Sequence, residues 1–313
     1  MKPFSIAGIQ MPVSASHSNV ALMKHNIEVT VSVYPWVQMV LLSELCAFGP
    51  LLYHAKPFPN EVEDEFRELA RKNKIWLIPG SMFQNRHERI YNTATVINPE
   101  GEIVGRYDKM FPFYPYEVGV TGGTEFFFFD VPEVGRFGLT ICYDMWFPET
   151  SRTLAVNGCD VILHPTLTGT IDRDVELALV QATAATNQCY VFDINGLGDG
   201  GTGRSIICGP DGRVIYQAGT GPEQIPIEID MERVKRSREH GLLRLGQPLK
   251  SFRDRKIHFD IYERGKEYPE LQKLGELEKP TRLAQIKKIM QEPSAMDESG
   301  TRIMPEDLRN KGF

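Results

Sequence analysis

Cys142 stands where a short apolar run gives way to a helix start, a position at which a thiol can serve as a nucleophile. Residues 136–142 predict a buried strand, and Pro148 and Glu149 follow as the first turn of a helix. Such a turn holds a side chain at the sheet edge, where the incoming helix N-terminus favours an anion. The same stretch fits a structural cysteine equally well, because free cysteine is among the most buried residue types.

Two further polar residues also lie just after a predicted strand. Glu44 comes just after the apolar run 38–42, and Lys109 opens a loop just after the predicted strand 103–107. Because sites collect at strand ends in layered α/β folds, we expect Glu44, Lys109 and Cys142 to converge on one pocket. Taken singly, Glu44 is also typical of a helix entry and Lys109 of a solvated loop.

The three side chains make chemical sense together. A thiol is mostly protonated at neutral pH and needs an adjacent base or a nearby cation to become a nucleophile. Glu44 can take the proton and later return it to a leaving amine. Lys109 and the backbone N–H of Tyr143 can stabilise the oxyanion that forms when a carbonyl is attacked. These residue types therefore indicate acyl transfer through a cysteine.

The hydrophobic pattern predicts the elements that position these residues. Strands are predicted at 4–11, 38–42, 75–83, 89–98, 103–107, 126–131, 136–142, 160–164, 189–195, 205–208, 214–218 and 225–229, and helices at 19–33, 61–74, 149–156 and 172–187. Because βα alternation and tight hairpin turns both occur, the sheets are expected to be mixed. Two such sheets packed face to face with helices outside give a four-layer α-β-β-α sandwich. Residues 1–240 are predicted to form this domain, and the charged segment 241–313 an extension over the surface or onto another subunit.

Composition excludes several classes of partner. The net charge of −6 over 313 residues provides no basic excess for nucleic acid or anionic membranes. Five cysteines with no C-x-x-C pair suit a reducing compartment, and no run reaches the roughly 18 apolar residues of a membrane span. No pair of histidines has helical ligand spacing, so no metal site is expected. We expect a soluble, cytoplasmic protein that acts on small molecules.

Three stretches resemble the signature blocks of the nitrilase, or carbon–nitrogen hydrolase, superfamily. They are Ser43-Glu44-Leu45, Gly105-Arg106-Tyr107-Asp108-Lys109, and Gly138-Leu139-Thr140-Ile141-Cys142-Tyr143-Asp144-Met145 with Phe147-Pro148-Glu149. The resemblance runs from about residue 4 to about residue 240. It implies the same α-β-β-α sandwich and a triad of Glu44, Lys109 and Cys142. It also implies hydrolysis or condensation of non-peptide C–N bonds through a cysteine thioester or thioimidate, no cofactor, and homo-oligomers that pair through their helices.

The aromatic loop after Lys109 indicates which branch of the superfamily the sequence resembles. It is similar to the loop of aliphatic amidases and formamidases, in which a second glutamate lies eight positions after the lysine (117 − 109 = 8). That resemblance implies that Glu117 orients the substrate amide or the lysine and assists proton transfer. The structural alternative is a loop carboxylate paired with a nearby cation. Around Cys142 the sequence is closer to the amidase, carbamoylase and omega-amidase branches, which leaves the substrate open.

Four residues are candidates for substrate contact: Tyr116, Tyr143, Trp146 and His164. Large aromatic residues near a sheet end are also typical of core packing, and His164 is equally typical of a structural histidine. Asp144 is expected to make structural hydrogen bonds beneath the turn.

The function expected from these residues is hydrolysis of a small linear amide to ammonia or an amine and a carboxylic acid. One alternative is an N-carbamoyl amine or amino-acid hydrolase, which would need a basic residue such as Arg173 or Arg204 for a carboxylate. A nitrilase is disfavoured because Cys-Tyr-Asp replaces the expected Cys-Trp-Glu. A non-catalytic oligomeric scaffold of this fold would be expected to lack part of the triad, and all three residues are present.

The resemblance around Glu117 yields a test. If Glu117 assists proton transfer, Glu117→Gln should lower kcat by about 100-fold or more while the fold is retained. Steady-state kinetics and circular dichroism on the same preparation measure both properties. Unchanged kinetics would assign Glu117 to the structural alternative.

Overall fold

The computed structural model describes residues 3–114 and 116–277. These residues fall into two compact units. The larger unit contains residues 3–113 and 119–266, and the smaller one contains residues 114, 116–118 and 267–277. Every element discussed below belongs to the larger unit except the last helix, α7.

The strands are β1 (Phe4–Gln10), β2 (Pro12–Val13), β3 (Met39–Leu42), β4 (Trp76–Ile78), β5 (Ser81–Arg86), β6 (Arg89–Ile97), β7 (Ile103–Asp108), β8 (Phe127–Val131), β9 (Gly135–Leu139), β10 (Val161–Thr166), β11 (Tyr190–Asn195), β12 (Leu197–Gly198), β13 (Ile206–Cys208), β14 (Val214–Gln217) and β15 (Glu223–Ile229). The helices are α1 (Val20–Val33), α2 (Glu61–Asn73), α3 (Pro148–Val156), α4 (Arg173–Asn187), α5 (Met231–His240), α6 (Pro248–Asp254) and α7 (Pro269–Gln272).

Two large sheets form the centre of the larger unit. The seven-stranded sheet has the order β15-β1-β3-β4-β6-β5, with β7 paired to β6, and the six-stranded sheet has the order β14-β13-β11-β10-β9-β8. The runs β1-β3-β4 and β9-β10-β11 are parallel, whereas the hairpins β6-β7 and β13-β14 are antiparallel. The prediction of two mixed sheets is confirmed.

Three apolar clusters show how the layers pack. The largest takes side chains from both sheets, such as Ile6 and Leu41 from one and Leu163 and Phe192 from the other, and fills the space between them. A second cluster packs α1 and α2 on the outer face of the seven-stranded sheet, and a third packs α3 and α4 on the outer face of the six-stranded sheet. The order of layers is therefore helix, sheet, sheet, helix, as expected.

The predicted strand 75–83 is wrong in one respect, because it is two strands. Pro79 lacks an N–H for the ladder, and Gly80 has a φ of +76°, which ends β4 and redirects the chain into β5. A Cβ on Gly80 would lie 1.9 Å from the carbonyl oxygen of Ser43. One residue further on, the Ser81 hydroxyl accepts a hydrogen bond of 3.0 Å from the Leu45 N–H. The break thus holds the turn that contains Glu44.

The predicted strand 136–142 also ends earlier than expected. Strand β9 stops at Leu139, and Cys142 begins a 3₁₀ turn, Cys142–Trp146, with a φ of +47°. A positive φ is incompatible with a strand and costs a non-glycine residue roughly 1 kcal/mol. Cys142 therefore sits on a strained turn just beyond the strand.

The chain after α5 continues along the outer helices. Helix α6 packs against α4, and the Leu249 N–H donates to the Gln188 side chain at 3.4 Å. The Arg152 guanidinium lies 5.6 Å from the centre of the Phe252 ring. Among the helices that the structure describes, none combines the length and the apolar character needed to cross a bilayer.

The close approach at Gly80 predicts a stability difference between two glycine substitutions. Gly80→Ala should destabilise the fold by about 3 kcal/mol or more, because the left-handed conformation and the collision with Ser43 both oppose a Cβ. Gly158→Ala is the matched control, since Gly158 has a φ of +91° and open space within 4 Å of its Cβ position. It should cost only about 1–2 kcal/mol. Urea unfolding measures both values, and equal losses would contradict the steric role of Gly80.

Candidate active site

The turn after β3 places Glu44 in the interior. Glu44 is only 2% exposed. Because a carboxylate is rarely buried without partners, its contacts need to be identified. The Glu44 N–H donates to the Thr166 carbonyl at 3.2 Å, which joins the end of β3 in one sheet to the end of β10 in the other. The Asn92 amide, from β6, donates to Glu44 Oε1 at 2.7 Å. The backbone of Glu44 is therefore held by β10 and its side chain by β6.

Lys109 meets Glu44 directly. Its Nζ lies 2.8 Å from Glu44 Oε1, and the lysine side chain is 1% exposed. The Lys109 N–H donates to the Asn92 carbonyl at 2.9 Å, so Asn92 contacts both members of the pair. Two of the three residues expected to converge are thus in contact, as a buried ion pair.

Cys142 lies in the same electrostatic environment. Its Sγ is 3.7 Å from the Leu167 carbonyl, next in sequence to the Thr166 carbonyl that Glu44 contacts. Burial raises the pKa of the Cys142 thiol well above its usual value; the Glu44 carboxylate raises it further, and the Lys109 ammonium opposes this. The resting thiol is therefore protonated, and it needs a base when it reacts.

Asp144 ties the cysteine turn to the lysine loop. Its Oδ2 accepts from the Ile141 N–H at 2.9 Å and from the Tyr107 hydroxyl at 2.8 Å, while its Oδ1 accepts from the Phe111 N–H at 2.9 Å. Tyr107 and Phe111 flank Lys109 in the chain. The expectation of structural hydrogen bonds beneath the turn is confirmed. Burial raises the pKa of Asp144 to about 6 even though these donors favour the ionised form.

The candidate substrate contacts lie in different places. Tyr143 and Trp146 are half-buried on the cysteine turn, with ring centres 5.8 Å apart. As the second residue of that turn, Tyr143 has a backbone N–H of the kind that lacks an acceptor within its own helix. Tyr116 and Glu117 belong to the smaller unit, where Tyr116 is exposed and Glu117 is half-buried. Their roles remain predictions.

His164 is buried on β10 among protein partners. Its Nδ1 lies 2.8 Å from the Thr140 hydroxyl, and its Nε2 lies 3.7 Å from Asp193 Oδ2. Burial lowers the pKa of His164 to about 3, with Arg173 and Lys109 acting in the same direction against Glu176. The ring is therefore neutral at pH 7, which favours the structural interpretation of this residue.

Arg173 and Arg204 have acidic partners that were not singled out from the sequence. Arg173 is ion-paired with Asp193 and lies 3.1 Å from Glu176, and Arg204 lies 2.7 Å from Asp174. Both arginines considered as carboxylate binders are thus already paired with acidic side chains. The signal in the sequence was the i,i+3 spacing of Arg173 and Glu176, which is also typical of ordinary surface pairs.

The arrangement holds no set of side chains typical of a metal centre, since its thiol, ammonium and carboxylate are the parts of a covalent acyl-transfer site. Within 3–114 and 116–277, one group of three potential ligands stands close together, formed by His258, Asp260 and Glu263. All three are exposed, and none belongs to the triad.

Comparison with known proteins agrees with this geometry. The family model for carbon-nitrogen hydrolases matches residues 5–239. Human omega-amidase NIT2 is 29% identical over 204 residues, 59% of this chain and 72% of that protein. A formamidase from Helicobacter acinonychis is 27% identical over 269 residues, 78% of this chain and 80% of that protein. The solved structure of Nit3 from Saccharomyces cerevisiae, a nitrilase-superfamily member, superposes with a TM-score of 0.69 at 26% identity, covering 76% of this chain and 94% of that one.

The protein therefore belongs to the carbon-nitrogen hydrolase family of the nitrilase superfamily. It is a hydrolase that acts on carbon–nitrogen bonds other than peptide bonds, and its fold is the nitrilase-like sandwich.

The neutral His164 predicts a pH dependence of stability. Its folded pKa of about 3 lies below the unfolded value of 6.5, so the unfolded chain binds more protons and stability falls as pH drops below 6.5. At pH 5 the loss is about 2 kcal/mol. His164→Gln should therefore lose about 2 kcal/mol less than the natural protein between pH 8 and pH 5.

Urea unfolding at the two pH values measures this difference. The contribution of Asp144 has the opposite sign in this range but is common to both proteins, so it cancels. His25→Gln, on the exposed face of α1, is the control. An identical pH dependence in the His164 variant and the natural protein would contradict the interpretation.

Proposed function

We propose that the protein hydrolyses small linear amides through a thioester on Cys142. The observation that carries the proposal is the buried Lys109–Glu44 ion pair at 2.8 Å, whose two charges act on the thiol of Cys142. A base, a cation and a protonated thiol in one water-excluded place are the groups that cysteine-based acyl transfer requires.

In the acylation step, Glu44 takes the proton of the Cys142 thiol as the sulfur attacks the amide carbonyl. Lys109 and the Tyr143 N–H stabilise the negative oxygen of the tetrahedral intermediate, and one such donor typically contributes about 3–4 kcal/mol. Glu44 then gives the proton to the nitrogen, the C–N bond breaks, and ammonia or an amine leaves.

In the deacylation step, Glu44 removes a proton from water, and the resulting hydroxide attacks the thioester. The C–S bond breaks, the sulfur recovers the proton by way of Glu44, and the carboxylic acid leaves. One carboxylate thus alternates between base and acid in both steps.

The names of the relatives support an amide rather than a nitrile as the substrate. Proteins named omega-amidase and formamidase match at 27–29% identity. The N-carbamoyl hydrolase alternative gains no support, because Arg173 and Arg204 are each paired with an acidic side chain. The scaffold alternative gains none either, since Glu44, Lys109 and Cys142 are all present.

Several expectations stay predictions. They are substrate contacts from Tyr116, Tyr143, Trp146 and His164, assistance from Glu117, a catalytic domain of 1–240 with an extension at 241–313, homo-oligomer assembly and a cytoplasmic location. Apart from the Tyr143 N–H in the acylation step, the proposed chemistry needs none of these to be assumed.

The nucleophile assignment predicts a selective loss. Cys142→Ala should lower kcat/KM by about 10³-fold or more, because no other group can form the acyl intermediate. Ammonia release over formamide, short aliphatic amides, ω-amides, carbamoyl amino acids and nitriles identifies the substrate. Cys208→Ala, which removes another fully buried thiol, is the control and should retain kcat/KM. Full turnover by Cys142→Ala on the best substrate would refute the mechanism.

A further inference from the structure

A second set of charges is buried at the start of α4. Arg173 is 2% exposed, and its guanidinium contacts the carboxylates of both Glu176 and Asp193. The same guanidinium donates to the Arg204 carbonyl at 2.8 Å. Glu176, one turn along α4, has a side chain that is 10% exposed. Two carboxylates therefore share one cation in the interior.

Two members of this set, Arg173 and Glu176, lie on a helix that packs against the turn of the nucleophile. Helix α4 packs on the 3₁₀ turn that begins with Cys142, and Leu177, adjacent to Glu176, shares an apolar cluster with Met145 of that turn. The charge of Glu176 acts on the Cys142 thiol, where it adds to the effect of Glu44 in raising the pKa. Any acyl group bonded to the Cys142 sulfur therefore lies within the field of Glu176.

The buried charges around the thiol do not balance. Lys109 is matched by Glu44, and Arg173 is shared by Glu176 and Asp193. His164 is neutral at pH 7 because burial lowers its pKa to about 3. Asp144, buried on the Cys142 turn, is ionised at pH 7 because burial raises its pKa only to about 6. Two cations thus face four carboxylates, which leaves a net charge of −2 among these groups. In a low-dielectric interior such an excess acts strongly on a charged ligand.

We propose that Glu176, held in place by Arg173, is a specificity-determining residue that excludes anionic acyl groups from Cys142. The inference rests on the proposed function and names its substrate class: amides whose acyl chain is uncharged or cationic. An acyl chain that ends in a carboxylate, as in a monoamide of a dicarboxylic acid or an N-carbamoyl amino acid, is repelled by the excess negative charge.

A pair of alkylating reagents tests the charge preference without any hydrolysis. Iodoacetamide and iodoacetate are nearly equal in size and differ by one negative charge. We measure the rate of alkylation of Cys142 by each reagent with peptide mass spectrometry, and we divide their ratio by the ratio for a free cysteine peptide. A change in thiolate fraction affects both reagents equally, so the corrected ratio reports the charge of the site.

The natural protein should favour iodoacetamide by at least about tenfold after this correction, and Glu176→Gln should remove most of that preference. Glutamine keeps the shape of the side chain and an acceptor for Arg173. Asp174→Asn is the matched control, because it removes one negative charge from the same helix at a side chain that is 76% exposed. It should leave the ratio unchanged. A corrected ratio near one, or a ratio that Glu176→Gln does not change, would overturn the proposal.

A substrate series gives a second readout. Butanamide, 4-aminobutanamide and succinamate have chains of similar length that are neutral, cationic and anionic. The kcat/KM of succinamate should be at least about 100-fold below that of butanamide. Glu176→Gln should reduce this difference in kcat/KM. Preferential cleavage of succinamate would overturn the inference. It would favour Arg173 as a hydrogen-bond donor to the carboxylate of the substrate. If no amide is hydrolysed while the alkylation preference holds, the proposed function fails and the charge selectivity of Glu176 stands.

Discussion

The ion pair between Lys109 and Glu44 is the interaction on which the site depends. Removing a carboxylate and an ammonium from water costs several kcal/mol for each ion. This cost is offset only when the two ions are in close contact and also make further hydrogen bonds. The fold supplies these partners from different strands: Asn92 on β6 contacts both residues, and Thr166 on β10 receives the Glu44 N–H. The ion pair and Asn92 therefore belong to the seven-stranded sheet, and the six-stranded sheet holds the backbone of Glu44. Loss of either member would break this buried pair, at a cost of about 3–5 kcal/mol.

The cysteine is held in a different way. Its turn has a left-handed residue at Cys142, and the strain is maintained because Asp144 accepts from the backbone of that turn and from both sides of the Lys109 segment. Burial, and after it the carboxylates of Glu44 and Glu176, raise the pKa of the thiol and keep it protonated until a base removes its proton. Nucleophile, base and cation are thus coupled through one hydrogen-bonded network. Glu176, which shares Arg173 with Asp193, adds negative charge near it.

Much of the site could be predicted from local sequence. Glu44, Lys109 and Cys142 each follow a strand that its apolar pattern reveals, and strand ends on one side of packed sheets come together. The four layers followed from the mixture of hairpins and βα units. Both conclusions depend on patterns that span only a few residues. Such patterns can be recognised without knowledge of the tertiary structure.

Contacts between distant segments could not be predicted in this way. Tyr107 and Asp144 are 37 residues apart, Lys109 and Glu44 are 65 apart, and nothing in either local pattern specifies the hydrogen bonds between them. The i,i+3 spacing of Arg173 and Glu176 is typical of exposed helical pairs, and only the packing of α4 buries them. The division of 75–83 at Pro79 and Gly80 likewise depends on the carbonyl of Ser43, which lies in another segment.

The central claim is that the buried thiol forms a covalent acyl intermediate, and partitioning with hydroxylamine tests it most directly. An amide and an ester of the same acid, such as butanamide and methyl butanoate, are hydrolysed in the presence of hydroxylamine, and the ratio of hydroxamate to free acid is measured for each. We expect the same ratio from both substrates, because both would pass through one thioester on Cys142. A ratio that depends on the leaving group, or hydrolysis that yields no hydroxamate, would contradict the account.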